Sequence, residues 1–182
     1  MKKNLQYKNE LIRSMSFLVK NKKTIFLGQS VKYSGNAIFN TLSHIENSKK
    51  IELPVFEDIQ MGLSIGLALD GFIPVSCYPR FDFLILAMNQ LVNHLDKFRR
   101  MSNNEFKPRV IIRTSIGAKK PLDGGLQHTQ DFTKMFKNTL KEVNVVLLKE
   151  PSQIFSEFKK SLLRKDGKSS LIIEYGEYYN SK

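Results

Sequence analysis

The chain has 182 residues, 41% of them hydrophobic, with 13 Phe and no Trp, which suits one domain with its own core and excludes both a disordered chain and two ordinary domains joined by a linker. Lys and Arg number 29 against 17 Asp and Glu, giving a net charge of +12. The excess is scattered in short runs such as Lys22-Lys23, Lys49-Lys50 and Lys159-Lys160, without a basic stripe interleaved with aromatics, so a solvated basic surface is expected and nucleic acid is disfavoured as a partner.

The opening MKKNLQYKNE has no apolar segment behind its lysines, and no later stretch approaches the length of a membrane span, so a cytoplasmic protein that does not engage a membrane is expected. Leu5 to Val19 carries Leu11, Ile12, Met15 and Leu18 at helical spacing, and Thr24 to Leu27 reads as a strand ending in the turn Gly28-Gln29-Ser30. Asn36 to His44 reads as a second helix and Ile51 to Val55 as a second strand. Glu57 to Leu69 reads as a third helix, with Gly62 and Gly66 four residues apart on one face for close packing, and Gly71 closes it. Phe72 to Cys77 is a strand; the single cysteine excludes an intrachain disulfide and reads as a core thiol in a reducing compartment. Phe81 to Met101 is expected as one long helix burying Leu84, Ile85, Met88, Leu91, Val92, Leu95 and Phe98.

Arg109 to Ser115 reads as a strand buried on both faces, followed by the longest loop in the chain, 117–130, with Gly124-Gly125 inside it. Asp131 to Leu140 is expected helical, Asn144 to Leu148 a strand, Pro151 to Arg164 a helix with proline in its first turn, and Leu171 to Glu174 the last strand. Alternation of strands and helices at this spacing predicts a three-layer α/β/α domain on a mainly parallel sheet, filling 1–182 as a single domain.

Three positions carry candidate chemistry. Glu57 stands at a strand-to-helix junction beside Pro54, Val55, Phe56 and Ile59. There it is either a first-turn carboxylate complementing the helix dipole or a desolvated acid that shares a proton. His128 is the one histidine in the long loop, flanked by Gln127, Thr129 and Gln130, which suits an imidazole oriented for proton transfer as well as a surface position. Phe81 and Phe83, after Tyr78-Pro79-Arg80, are either core residues or a platform for a flat heterocycle at a strand's carboxyl end. No G-x-G-x-x-G, G-x-x-x-x-G-K-[ST] or G-D-G…N phosphate or metal cradle occurs, and no metal site is expected.

Taken in order, FLGQSV, LPVFED-x-x-MG-x-x-x-GLALDG, GFIPV, YPRFDF with AMNQLVNHLDKFRRMS, RVIIRTSIGA, GGLQHTQDF and LIIEY span nearly the whole chain. This ordered set resembles the pyrimidine-binding, transketolase-like domain of thiamine diphosphate enzymes, and within it the beta subunit of pyruvate and other 2-oxo acid dehydrogenases. The resemblance implies that Glu57 hydrogen-bonds the aminopyrimidine ring and promotes its imino tautomer. It implies also that Phe83, with Pro79 near it, packs against that ring, and that His128 assists substrate binding and proton movement. Gln29 lies where such beta subunits often carry an acidic residue.

The same resemblance implies thiamine diphosphate as cofactor, with Mg²⁺ and the diphosphate held by an alpha-type partner subunit in a heterotetramer. The substrate would be a 2-oxo acid or a sugar, cleaved next to its carbonyl. The chain ends after Tyr178-Tyr179, so the family's carboxyl-terminal domain is expected to be missing, and a split transketolase-type subunit is the alternative. A non-catalytic basic binding module that keeps the fold is a third reading.

Overall fold

In a computed structural model, which describes residues 6–120 and 123–179, six strands form one sheet. They are β1 (Thr24–Gly28), β2 (Lys50–Glu52), β3 (Ile73–Tyr78), β4 (Ile111–Ile116), β5 (Val143–Leu147) and β6 (Ser169–Tyr175). The order is β2-β1-β3-β4-β6-β5 and every pairing is parallel, so all carboxyl ends emerge on one edge.

Helices cover both faces, as an all-parallel sheet requires. On one face α1 (Tyr7–Val19) and α6 (Pro151–Leu163) bury Leu11, Met15, Leu18, Ile154 and Phe158 against Phe26, Val75, Cys77, Ile111 and Ile172. On the other, α2 (Glu57–Leu69), residues 81–101 and α5 (Thr133–Thr139) bury Met61, Leu84, Leu91 and Phe136 against Tyr78, Ile112, Leu171 and Ile173. The expected three-layer architecture is therefore present, with the sheet wholly rather than mainly parallel. Among the described residues no helix is long and apolar enough to cross a membrane.

Two expected helices differ in form. Asn36 to His44 yields only a 3₁₀ turn, Phe39–Thr41. Ile38, Leu42 and Ile45 are buried at helical spacing, but the Asn36 side chain caps the Phe39 amide and the Thr41 hydroxyl donates to the Ile38 carbonyl, closing tight turns. Residues 81–101 are helical throughout but change pitch: α3 (Phe81–Leu84), a 3₁₀ turn (Ile85–Ala87), a π-helical segment (Asn89–Leu95) and α4 (Asp96–Met101). The tighter turn rotates the phase, so Ile85, expected buried, is exposed and Ala87 is buried.

Two neighbouring interior strands, β4 and β6, hide a polar network that their apolar appearance concealed. Arg113 on β4 and Glu174 on β6 are both 0% exposed and form a bidentate ion pair on the α1/α6 face. Arg113 also donates to the Thr41 hydroxyl at 2.8 Å and to the Tyr179 hydroxyl, and Tyr179 donates to Glu174. Burial alone would lower the pKa of Arg113, yet the Glu174 carboxylate beside it holds it above the ordinary range.

On the outer side of α2, Phe56, Ile59 and Leu63 are exposed and recur at helical spacing with Gly66, whose absent Cβ would meet nothing within 4 Å. Gly62, by contrast, faces the Gln90 side chain. The expected glycine face therefore packs at Gly62 and is open at Gly66.

Candidate functional site

The carboxyl edge of the sheet gathers four segments: the turn after β1, the start of α2 after β2, the segment 79–83 after β3, and the loop 117–130 after β4. Gly28 makes the first turn. Its φ is +146°, and a Cβ there would stand 2.3 Å from the Cys77 carbonyl oxygen, so only glycine lets β1 and β3 run so close at this point. The chain beyond it wraps the carboxylate of Glu52, which accepts the amides of Ser30, Val31 and Lys32 at 2.5, 2.9 and 2.7 Å. This clamp at the end of an edge strand sets where Gln29, Ser30 and Asn36 face the site.

Glu57 is the first residue of α2 and 9% exposed. Its backbone carbonyl accepts the Tyr78 hydroxyl at 3.3 Å, tying the helix start to the carboxyl end of β3. Its carboxylate has no hydrogen-bond or ion-pair partner among the described residues. Gln60, one turn on, donates to the Ser76 hydroxyl and the Cys77 carbonyl, so α2 is pinned to β3 by polar contacts as well as by packing. The Tyr78 hydroxyl, buried and near Glu57, has its pKa raised chiefly by burial, against an opposing hydrogen bond with Ser76 and with a further rise from the Glu57 charge.

Phe83 and His128 meet edge to face, 5.4 Å between ring centroids and 83° between planes. His128 is held from below by a close backbone approach, since a Cβ at Gly117 would lie 1.9 Å from the His128 carbonyl oxygen. Its amide donates to Gly125, and Gln130 two residues on donates through amide and side chain to Asp82 Oδ1 at 3.3 and 2.9 Å. Asp82 thus staples the loop to α3. Its other oxygen, Oδ2, is buried without a hydrogen-bond partner among the described residues.

Two connected clefts, each of about 260 Å³, share Arg80, Gly124 and His128. The first is closed by Gln29, Ser30, Asn36, Pro79 and Phe83; the second extends past Lys8, Asn40, Lys120 and Tyr179. Of the residues singled out in the sequence, the structure brings Gln29, Pro79, Phe83 and His128 into one cleft, whereas Phe81 is a core residue stacked on Phe136. Glu57 lies on the same sheet edge but does not line either cleft. Sequence reasoning passed over Arg80 and Asp82, although both sit inside YPRFDF, and over Lys8 and Lys120, which only the fold brings close. Arg80, Lys8 and Lys120 form no salt bridge among the described residues, and the clefts have no carboxylate in their lining, so the site is set up electrostatically for an anion.

No family model matches the chain. It is 28% identical over 138 residues to the 2-oxoisovalerate dehydrogenase subunit beta of Bacillus subtilis, covering 74% of this chain and 39% of that protein. It is 26% identical over 168 residues to the pyruvate dehydrogenase E1 component subunit beta of Gracilaria tenuistipitata var. liui, covering 90% of this chain and 50% of the relative. The chain thus spans about half the length, or less, of these curated relatives. Among solved structures, a split-gene transketolase described as an inactive beta4 tetramer superposes with a TM-score of 0.58 at 17% identity, over 93% of this chain and 49% of that one, which shows a shared fold. The sequence relatives and the fold agree with the motif order: the chain resembles the pyrimidine-binding, transketolase-like domain as it occurs in beta subunits of 2-oxo acid dehydrogenases.

Proposed function

We propose that the chain is the pyrimidine-binding half of a two-component thiamine diphosphate enzyme that decarboxylates a 2-oxo acid or cleaves a ketose next to its carbonyl. The observation that carries this reading is a carboxylate at a helix start, Glu57, 9% exposed and without a hydrogen-bond or ion-pair partner among the described residues, on the same sheet edge as a half-buried aromatic, Phe83, and an imidazole, His128. Such a set fits a flat ring with one protonatable nitrogen. Glu57 would hold that nitrogen and share a proton with it. Phe83, with Pro79 beside it, would pack against the ring, and His128 would face the substrate across the cleft and move a proton to or from it. The cofactor, when bound, supplies the electron sink for cleavage beside a carbonyl.

Among the described residues no group of three or more His, Cys, Asp or Glu is placed to hold a metal ion. On this reading an alpha-type partner subunit, in a heterotetramer, would hold Mg²⁺ and the diphosphate, and the exposed stripe of α2 is the surface offered to it. Arg80, Lys8 and Lys120 suit the carboxylate of a 2-oxo acid. They suit a sugar phosphate equally, and this keeps a split transketolase-type subunit as the second reading.

The test is reconstitution: the chain mixed with an alpha-type partner, thiamine diphosphate and Mg²⁺, against a panel of 2-oxo acids and sugar phosphates. Turnover is expected only in the mixture. Glu57→Gln is expected to lower it by about 100-fold or more. Unchanged turnover in that variant rules out the role given to Glu57.

A further inference from the structure

The opposite edge of the sheet, where the strands begin, carries a second basic basin remote from the site above. A cleft of about 300 Å³ is lined by Lys23, Lys107, Arg109, Arg164 and Lys165 around Gly71, Phe72 and Gly167. These five cations come from separate parts of the chain: Lys23 just before β1, Lys107 and Arg109 before β4, and Arg164 and Lys165 after α6. The convergence is a product of the fold.

Local geometry holds the charges in place. The Lys23 ammonium lies over Gly71, 3.8 Å from where a Cβ would stand, and the Lys107 stem rests on Gly167, whose φ is +72°. Arg109 Nη1 donates to the Arg164 carbonyl at 2.9 Å, and Arg164 in turn reaches Ser170 Oγ at 3.1 Å.

The charges in the basin are not balanced. Asp166 forms a bidentate pair with Arg164, 2.7 Å for each bond, which holds its carboxyl down to about 2. Asp70, at the end of α2 beside Gly71, does not line the cleft. Lys23, Lys107, Arg109 and Lys165 form no ion pair among the described residues. Arg109 is half-buried, and burial first, then the charge of Arg164, makes its protonated form less favourable than in water. Asp166 offsets part of this for Arg109, and the remaining excess of positive charge in the cleft leaves room for a further anion.

We propose that this basin is a binding site for a polyphosphate group: free pyrophosphate or triphosphate, or the phosphate chain of a nucleotide. Four cations free of ion pairs among the described residues match several negative charges on one small ligand, and guanidinium and ammonium groups suit tetrahedral phosphate oxygens. The five cations are gathered at one cleft of about 300 Å³, whereas a nucleic-acid backbone would need a continuous basic track.

The experiment is calorimetric titration of the full chain with inorganic triphosphate at about 0.15 M salt, beside pyrophosphate, a nucleoside triphosphate, sulfate and a single-stranded oligonucleotide. Lys23→Gln with Lys165→Gln is the principal variant, because both side chains lie on the surface and make no ion pair. Arg109→Gln is the second variant. Triphosphate is expected to bind with one site and to outcompete sulfate, and its affinity is expected to fall about tenfold or more in the double variant. Tighter binding of the nucleotide than of triphosphate identifies the natural source as a nucleotide, and equal binding identifies the free polyphosphate. Affinity unchanged in the double variant, equal displacement by sulfate, or binding of the oligonucleotide alone overturns the proposal. Because the basin and the carboxyl-edge site lie on opposite edges of the sheet, this outcome is independent of the Glu57 test.

Discussion

Replacing Gly117 by alanine would put a methyl group 1.9 Å from the His128 carbonyl oxygen, where ordinary contacts begin beyond 3.0 Å. One side must retreat by about 1 Å. Gly117 cannot, because it is buried directly after β4, a strand paired on both sides, and the Arg80 stem lies 3.5 Å from the same Cβ position. The loop must move, carrying His128 off Phe83. Overpacking of this kind costs about 1–3 kcal/mol of stability, and a misplacement of about 1 Å in a reacting group can cost about 100-fold in turnover. The assay is the set of three imidazole resonances: His44 is held by the Ser16 hydroxyl at 2.8 Å, His94 is exposed, and His128 faces an aromatic ring. Gly117→Ala should shift only the His128 signals and lower the urea midpoint. Three unmoved imidazoles with an unchanged midpoint would refute the claim that Gly117 positions His128.

The buried network makes its own prediction. Glu174→Gln leaves Arg113, 0% exposed, without its countercharge and should cost about 3–5 kcal/mol, whereas Arg113→Met with Glu174→Leu should cost far less than the two single changes combined. Simple additivity in a urea-unfolding cycle would sink this reading. Burial pushes the Cys77 thiol up to about 12, against about 8.5 in an unfolded chain. Its neutral form therefore contributes stability that is fully present below about pH 8.5 and lost as pH rises toward the folded value. At pH 8 a thiol reagent should label Cys77 only at the rate of unfolding, and fast labelling of native protein would contradict its placement. Gly66→Ala, in open space on α2, should stabilise the isolated chain by about 0.5–1 kcal/mol. A destabilised variant would mean that the position is not open.

The sequence made the layered order legible because apolar period and turn chemistry act locally. Glu57 opens α2 at the expected strand-to-helix junction, and the contact of Phe83 with His128 was not among the expectations. What escaped was whatever depends on partners far along the chain. Arg113 sits in a run that reads as apolar, and only the pairing of β4 with β6 shows the Glu174 that makes its burial tolerable. The clamp on Glu52 and the two basic clefts are likewise assembled by loops distant in sequence. The expected helix at Asn36 to His44 had the correct buried residues, Ile38 and Leu42, but the wrong hydrogen bonds, because periodicity reports which side faces inward and not the pitch of a short turn.

The open stripe of Phe56, Ile59, Leu63 and Gly66 has a consequence for supply in the cell. A contiguous apolar strip on a free chain promotes self-association that grows with concentration. Chain in which the stripe stays uncovered would then be lost to aggregation or degradation as its concentration rises. Selection on this stripe therefore acts on how much free chain accumulates, as well as on how the fold packs.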